Sequence, residues 1–470
     1  MSGRDGHGAA GCVATVIVSL VVSLCAWPGP VTGHATGVRS GRALSSGTAS
    51  ALVRTVRVGQ HPVLVAVDAR DHHVFVASAG RLAGDFVLPS GPGSVSMVDE
   101  RTGAVLRTVA VGRSPVAIAV DAPTGRVFVL SAGAINTVAG PVSVGGSVAV
   151  LDAATGAPLR TVAVDPVPVT LSSAGAGPTA RQALVVDPTR GRVYAVVSTG
   201  VLVLDGATGL VRRQIELDGP PSVAALDAAD GLLYVGDADD PTLPTPPLPE
   251  GGYVGFLTAL DLATGRARAN PLLKQQGVGA IAVDTRAGRV LVVEPHGVSE
   301  RAFVDVFAAR TGAHLRRITL PGAFGQGDCV VALDGARGRA FVLYTPSGYD
   351  AQNGFGATLY VLDTTSGSVL QATPLASGGG GYFLGRAVAV VAPPARVLVA
   401  TASGGLSEPP GSVAVSSSDV AVFDAPSLRS LAPLPVGRGP QDVAIDEQAQ
   451  RVFITNEHDN ALSVFDARRL

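Results

Sequence analysis

The stretch "RTVAVGRSPVAIAVDAPTGRVFV", from Arg107 to Val129, decides the fold, because variants of it recur along the chain. A close variant, "GPQDVAIDEQAQRVFIT", begins at Gly439, and a looser one, "PTARQALVVDPTRGRVYAV", begins at Pro178. Each contains two short apolar segments around a turn with Asp and mostly Gly, a pattern that predicts paired β-strands. Repetition of such a unit predicts one large body built from many similar parts.

Two phrases alternate from residue 51 to the end of the sequence, and each predicts two strands. The first phrase is centred on Asp68, Asp121, Asp187, Asp227, Asp284, Asp334, Ala392 and Asp446. The second phrase is centred on Asp99, Asp152, Asp205, Asp261, Ala308, Asp363 and Asp424. In "DAATG" (152–156) the carboxylate is expected to accept hydrogen bonds from turn amides. We therefore interpret this row of carboxylates as structural and not catalytic.

The two ends of the repeat region complement each other. The last phrase, "NALSVFDARRL", stops at Leu470 without a fourth strand, whereas "RTVRVG" (54–59) differs from "RTVAVG" (107–112) at one position. A chain that begins with strand four and ends with strand three can close a ring without leaving a free sheet edge. The sequence therefore predicts an all-β fold, a single β-propeller of eight four-stranded blades closed by the N-terminal strand. Seven blades is the alternative.

The start of the chain has the features of a targeting segment. Arg4 precedes an apolar run from Cys12 to Trp27, and small residues at Gly33 and Ala35 suit cleavage. We predict a signal peptide at residues 1–35, a flexible linker at 36–50 and the propeller at 51–470. The protein is then expected to be secreted or displayed at the cell surface, with no transmembrane segment in the mature chain. A retained N-terminal membrane anchor is the alternative.

Charge and cysteine content narrow the function classes. The net charge is −2, so no basic surface that would bind nucleic acid is predicted. Cleavage would leave Cys329 as a lone cysteine, which we expect to be a buried apolar residue. No P-loop, dinucleotide fingerprint or nucleophile-elbow motif is present, so no cofactor is predicted. We expect a monomer whose partner is a protein or a small molecule.

The repeat resembles the YVTN-repeat β-propeller family. The residues that carry the resemblance are "TVAVGRSPVAIAVDAPTGRVFV" followed by "SVAVLDAATG", and the tetrad Phe453-Ile454-Thr455-Asn456 followed by "ALSVFD". The other blades depart from that tetrad, as in "VFVAS" and "LYVGD". The resemblance implies a propeller of a kind found in secreted or surface proteins, with lactonase-like enzymes and amine-dehydrogenase subunits among its relatives. It supplies no catalytic residue.

Loop lengths point to one face of the propeller. The turns between strands one and two, and between three and four, are short, whereas insertions such as "AGRLAGDFVLPSGPG" (79–93) fall on the opposite face. Function tends to lie on variable loops over a rigid scaffold. The candidate ligand-binding residues lie where the first strands begin at that face: His61, Arg113, Arg181, Asp328, Arg386, Arg438 and Gln441. The excess of arginine there suggests a small anion or a carboxylate ligand.

Histidines give weaker signals. His296 and His458, each with acidic neighbours, are weak metal-ligand candidates on the loop-bearing face, and His72 and His73 are expected to be exposed turn residues. The sequence favours an exported binding or interaction module that uses the loop-rich face and the axial mouth. The alternative is a secreted lactonase-like hydrolase or an oxidoreductase-subunit-like enzyme, which His61 and Asp328 would serve because acid–base catalysis needs positioned titratable groups.

Overall fold

Each copy of the repeat folds into one antiparallel sheet, and eight such sheets form a closed β-propeller in the computed structural model. The first strands of successive blades contact one another around a complete ring. The structure describes residues 51–83, 88–89, 91–136, 142–169, 181–217, 221–236, 256–268, 277–295, 301–324, 327–346, 356–377, 382–404, 413–415 and 419–470. The predicted signal peptide and linker and His296 lie outside these ranges.

In blades 1 to 4 the strands follow the chain from the axis outward. Their strands are Pro62–Asp68, His73–Ser78, Gly93–Asp99 and Val105–Val111 in blade 1; Pro115–Asp121, Arg126–Ser131, Ser147–Asp152 and Pro158–Ala163 in blade 2; Leu184–Asp187, Arg192–Val197, Gly200–Asp205 and Val211–Glu216 in blade 3; Val223–Asp227, Leu232–Gly236 and Leu257–Asp261 in blade 4. In blade 4 an isolated bridge between Leu260 and Ala267 stands where the other blades have an outer strand.

Blades 5 to 8 complete the ring. Their strands are Ala280–Asp284, Arg289–Glu294, Arg301–Ala308 and His314–Phe324 in blade 5; Gly327–Asp334, Arg339–Pro346, Thr358–Asp363 and Val369–Ser377 in blade 6; Tyr382–Val391, Arg396–Gly404, Asp419–Asp424 and Leu434–Pro435 in blade 7; Pro440–Asp446, Arg451–Asn456, Ala461–Asp466 and Leu52–Arg57 in blade 8. The segment around Ala392 is thus a true blade, which excludes the seven-blade alternative.

A few short elements lie outside this pattern. Val413–Val415 runs parallel to the outer strand of blade 6, and two small hairpins pair Leu82–Ala83 with Leu88–Pro89 and Ala134–Asn136 with Val142–Val144. The described residues also include the 3₁₀ helices Arg181–Ala183 and Ala467–Arg469. Within the described ranges, no helix has the length and apolar character needed to cross a membrane.

The N-terminal strand closes the ring as predicted. Leu52–Arg57 runs antiparallel to Ala461–Asp466, with Thr55 opposite Ser463 and Val56 opposite Leu462. Val56 packs with Val65 of blade 1 and Phe453 of blade 8 in the apolar layer between these two blades. Similar apolar layers lie between the other neighbouring blades, so the core of the protein is distributed around the ring.

The carboxylates of the second phrase organise turns, as the sequence predicts. Asp152 Oδ1 accepts hydrogen bonds from the backbone N–H (2.9 Å) and the hydroxyl (2.8 Å) of Thr155. Asp99 does the same with Thr102 at 2.7 Å for both bonds. These hydrogen bonds lower the pKa of Asp99, so that it stays ionised and holds the turn.

One backbone hydrogen bond joins the two turns of every blade. The residue after the third strand donates its N–H to the carbonyl of the fourth residue of the first turn. The eight pairs are Glu100 to His72, Ala153 to Gly125, Gly206 to Gly191, Leu262 to Gly231, Ala309 to Gly288, Thr364 to Gly338, Ala425 to Ala395 and Ala467 to Gln450. The accepting residue has a positive φ in every blade, which is why glycine is common there.

Gln450 occupies this left-handed position at φ 54°, whereas Gly125 occupies it in blade 2 at φ 65°, with open space where a Cβ atom would lie. We predict that Gln450→Gly stabilises the fold by about 0.5 kcal/mol, because it relieves the left-handed strain of a residue with a side chain. Chemical denaturation measures the effect. The reverse change, Gly125→Gln, serves as the control and should destabilise by about 1 kcal/mol. A destabilised Gln450→Gly protein, or an unaffected Gly125→Gln protein, would contradict this explanation.

Candidate functional site at the mouth of the loop-bearing face

The two faces of the propeller differ in a regular way. Four residues separate the first and second strands in every blade, for example 69, 70, 71 and 72 between Asp68 and His73. The third and outer strands of blade 1 are separated by five residues, 100 to 104. On the opposite face the connections between the second and third strands vary widely, from 198–199 in blade 3 to 237–256 in blade 4. We call these the turn face and the loop face.

The mouth of the central channel on the loop face has a polar corner between blades 8 and 1. The Gln441 side-chain amide donates to Glu457 Oε2 at 2.5 Å, and both residues are buried, with exposures of 6% and 5%. His61 Nδ1 lies 3.7 Å from Glu457 Oε1. The His61 backbone N–H donates to the Asn460 side-chain oxygen at 2.8 Å. The predicted residues His61 and Gln441 therefore meet at one carboxylate, that of Glu457.

Arg438 lies beside this corner and is held by a residue of the neighbouring loop. Its backbone N–H and its Nε donate to the two carboxylate oxygens of Asp459, at 2.7 Å and 2.8 Å. This pairing lowers the pKa of Asp459. His458 is exposed, and its ring lies against Gly439. The positive charge of Arg438 is therefore largely offset by Asp459 of the neighbouring loop.

Two more of the predicted residues lie near each other, between blades 6 and 7. Asp328 is in the first strand of blade 6, and Arg386 is in the first strand of blade 7, where it is only 7% exposed. Burial raises the pKa of Asp328, and the positive charge of Arg386 opposes this shift. The structure thus brings together two of the predicted residues as neighbours of opposite charge.

The remaining predicted arginines lie in blades 2 and 3. Arg113 is exposed at the entry to blade 2. Arg181 begins the 3₁₀ helix before blade 3, where its backbone position is described but its side chain is not. With Arg438 and Arg386 each facing a carboxylate, and Glu457 adding another, the described part of the mouth carries little excess positive charge.

Gln182, next to Arg181, is a channel residue that sequence reasoning missed. Its side-chain amide donates to the carbonyl of Ile281 at 2.6 Å, and its oxygen accepts from the N–H of Ile281 at 3.0 Å. Ile281 belongs to the first strand of blade 5, so this contact passes over blade 4. Asp442 acts similarly by accepting from Val65 N–H of blade 1 at 3.0 Å. These side chains satisfy free backbone groups on the inner strand edges that face the channel.

Blade 5 contains a second cluster of titratable residues, which the sequence analysis did not identify. Arg317 donates to both carboxylate oxygens of Asp305, at 2.9 Å and 2.6 Å, and lies 3.3 Å from Glu294 Oε2. His314 Nε2 lies 3.0 Å from Asp305, and the Arg317 guanidinium stacks over Phe303 at 4.8 Å. Burial and the nearby Asp305 charge raise the pKa of Glu294, whereas Arg317 contributes to lowering the pKa of Asp305.

A cavity of about 360 Å³ lies on the turn face between blades 3 and 4. It is lined by Arg190, Arg192, Tyr194, Val203, Arg212, Arg213 and Leu262. Two aspartates partly offset the four arginines: Asp187 pairs with Arg190, and Asp205 pairs with Arg192 and Arg212. The hydrogen bond from Arg212 lowers the pKa of Asp205 to about 2. An excess of positive charge therefore lies here, and not at the predicted mouth.

The Glu294 cluster predicts a pH dependence of stability. The pKa of Glu294 is raised on folding, so the stability due to its protonated form is present below the unfolded pKa of 4.5 and is lost as the pH rises through the folded pKa. Because the amide of Glu294→Gln mimics the protonated acid, we predict that this variant is more stable than wild type at pH 8, by roughly 1–2 kcal/mol. At pH 5 the two proteins should differ much less.

Chemical denaturation at the two pH values measures this difference. The exposed Glu216 provides the matched control, since Glu216→Gln should alter neither curve. A wild-type stability that stays level from pH 5 to pH 8, together with no gain from Glu294→Gln, would show that the buried carboxyl is ionised throughout.

Comparison with known proteins supports the fold and goes no further. No protein-family profile and no curated protein matches this chain. Among solved structures it is similar to hydrazine synthase of Kuenenia stuttgartiensis, at 15% identity and a TM-score of 0.50, covering 76% of this chain and 97% of that one. It is also similar to BamB from Moraxella catarrhalis, at 14% identity and a TM-score of 0.50, covering 88% and 99%. At such identities the likeness identifies a β-propeller and assigns no family.

Proposed function

We propose that this chain is an exported binding module of the YVTN-repeat type, which holds a small ligand or a partner segment at the mouth of the loop face. The observation that carries the proposal is the difference between the two faces. The turn between the first and second strands has four residues in every blade, whereas the longest connections enter the other face. A rigid ring with variable loops on one side is the usual arrangement of a binding surface.

The described mouth residues favour a polar ligand with both donor and acceptor groups. Glu457 and Asp328 offer acceptors, whereas Arg386, Arg113 and His61 offer donors. Because these charges are nearly balanced, a ligand with a carboxylate and a neighbouring hydroxyl or amine suits the mouth better than a simple anion. A ligand that carries only negative charge is better suited to the arginine-lined cavity between blades 3 and 4.

The enzymatic alternative rests on one specific contact. His61 Nδ1 and Glu457 Oε1 are 3.7 Å apart, close enough for the carboxylate to orient the imidazole after a small movement. A lactonase-like hydrolysis would use the imidazole as the general base toward water. An oxidoreductase-subunit role has no comparable arrangement among the described residues.

The proposal predicts that a ligand stabilises the protein against heat and that this effect requires the residues of the mouth. We expect at least one compound from a panel of hydroxycarboxylates, amino acids and sugars to raise the melting temperature of the wild-type protein. Gln441→Ala should weaken that binding about tenfold or more, because it removes the side-chain amide that donates to Glu457 and so loosens the corner. Thr124→Ala, on the turn face, is the control and should bind as wild type.

The same panel separates the alternatives. Turnover of lactones that disappears in His61→Ala would favour the hydrolase, and binding of inorganic phosphate or citrate that disappears in Arg213→Ala would place an anion site in the cavity. Two results together would show that the loop face is not a binding surface. No compound in the panel binds, and a variant altered on the loop face captures protein partners no differently from the wild-type protein.

A further inference from the structure

One position of the repeat differs sharply in blade 1. The residue that follows the third strand makes the same backbone hydrogen bond in every blade, so it occupies the same place in each. In seven blades that residue cannot ionise: Ala153, Gly206, Leu262, Ala309, Thr364, Ala425 and Ala467. In blade 1 it is Glu100, a buried carboxylate with 4% exposure.

This position faces the inner-strand aspartate of the preceding blade. In blade 3 a Cβ atom added to Gly206 would lie 2.4 Å from Asp121 Oδ2 of blade 2. In blade 6 the Thr364 hydroxyl donates to Asp284 Oδ2 of blade 5 at 3.2 Å. By the same geometry Glu100 of blade 1 faces Asp446 of blade 8, which is 1% exposed.

A third polar group meets these two carboxylates. His72 is the fourth residue of the first turn of blade 1, a position that is glycine in blades 2 to 6, and it holds a left-handed φ of 57°. Its Nδ1 lies 3.3 Å from Glu100 Oε2. One ligand atom from each of His72, Glu100 and Asp446 lies within 4.8 Å of the others. The expectation that His72 is simply an exposed turn residue is wrong, because its side chain is 33% exposed and contacts a buried acid.

The two carboxylates have unused acceptors. Glu100 Oε1 and Asp446 Oδ2 are fully buried and accept no hydrogen bond from the residues that the structure describes. Asp446 Oδ1 is fixed by the backbone N–H groups of Gln448 and Ala449, both at 2.8 Å. Two adjacent buried carboxylates need a neutralising partner, which is either a proton or a cation. Burial first, and then the charge of Asp446, raise the pKa of Glu100.

We propose that His72, Glu100 and Asp446 bind one divalent transition-metal ion, such as Zn²⁺ or Mn²⁺, on the turn face between blades 8 and 1. An imidazole with two carboxylates is a donor set that these ions accept, whereas Ca²⁺ and Mg²⁺ prefer oxygen ligands alone. Ligand atoms at about 2.1 Å from a tetrahedral ion are roughly 3.4 Å apart, close to the 3.3 Å between His72 and Glu100.

The location gives the ion a structural task. The site joins the last inner strand to blade 1, at the same blade interface that the N-terminal strand closes on the outside. The partly exposed His72 ring gives the ion a path from solvent. A bound ion would therefore lock the ring at its seam, and this role is independent of the binding function proposed for the loop face.

The test uses the full propeller, stripped with EDTA and dialysed against ZnCl₂ or MnCl₂, with CaCl₂ and MgCl₂ as comparisons. Elemental analysis should find one Zn²⁺ or Mn²⁺ per chain, and the melting temperature should rise by roughly 3 °C at a metal concentration one hundred times Kd. Glu100→Ala and His72→Gly should each weaken metal binding at least tenfold. Both variants install residues that other blades already carry at these positions, so folding is expected to persist.

Thr364→Ala, at the position of Glu100 in blade 6, is the matched control and should retain the metal and the thermal shift. The proposal is overturned if the wild-type protein takes up no stoichiometric Zn²⁺ or Mn²⁺, or if Glu100→Ala takes up as much as wild type. Glu100→Gln tests whether a proton, and not a cation, neutralises the two carboxylates. If this variant melts higher than a metal-free wild type that binds no ion, the two acids share a proton, and the metal assignment fails.

Discussion

The pairing of Leu52–Arg57 with Ala461–Asp466 is the interaction on which the rest of the structure depends. A propeller blade buries its two faces against neighbouring blades, so a ring with an open seam would expose an apolar layer and a strand edge. Here that layer contains Val56, Phe453 and Leu462, all buried. Cys329 is the only cysteine among the described residues, so no disulfide joins them. Strand pairing and packing therefore close the ring.

Closure also explains where chemistry can occur. The ring directs the free edges of its inner strands toward the channel, and side chains such as Gln182 and Asp442 satisfy some of their backbone groups. Polar residues at the strand starts are therefore held rigidly by hydrogen bonds, as Gln441 is by Glu457. On the turn face the repeated bond between the two turns fixes each backbone position, so one unusual side chain there changes the chemistry without changing the fold.

Most of the fold could be predicted because each strand pair has a local sequence pattern and this pattern recurs along the chain. The near identity of "RTVRVG" and "RTVAVG" showed that the first strand belongs to the last blade, and turns with Asp, Gly or both marked most of the hairpins on the turn face. The site was less accessible, because partners are far apart in sequence. Nothing in the sequence indicates that Arg438 is engaged by Asp459, or that Gln182 reaches Ile281.

Two signals for the missed clusters were nevertheless present. Asp305 interrupts an apolar strand in "FVDVF", where an acid needs a buried partner, and that partner is Arg317. Glu100 stands alone in a column of residues that do not ionise. Aligning the blades of the chain with one another would have drawn attention to Glu100. It would not have revealed His72 and Asp446 as its neighbours, because that contact depends on ring closure between blades 1 and 8.

Thermal unfolding of two N-terminal truncations tests ring closure most directly. A chain that starts at residue 51 keeps the closing strand, whereas a chain that starts at residue 59 lacks it. The first should melt within about 1 °C of the chain without truncation, and the second should melt lower by roughly 5 °C or more and self-associate through its open edge. Equal melting temperatures and equal solubility for the two truncations would contradict closure by this strand.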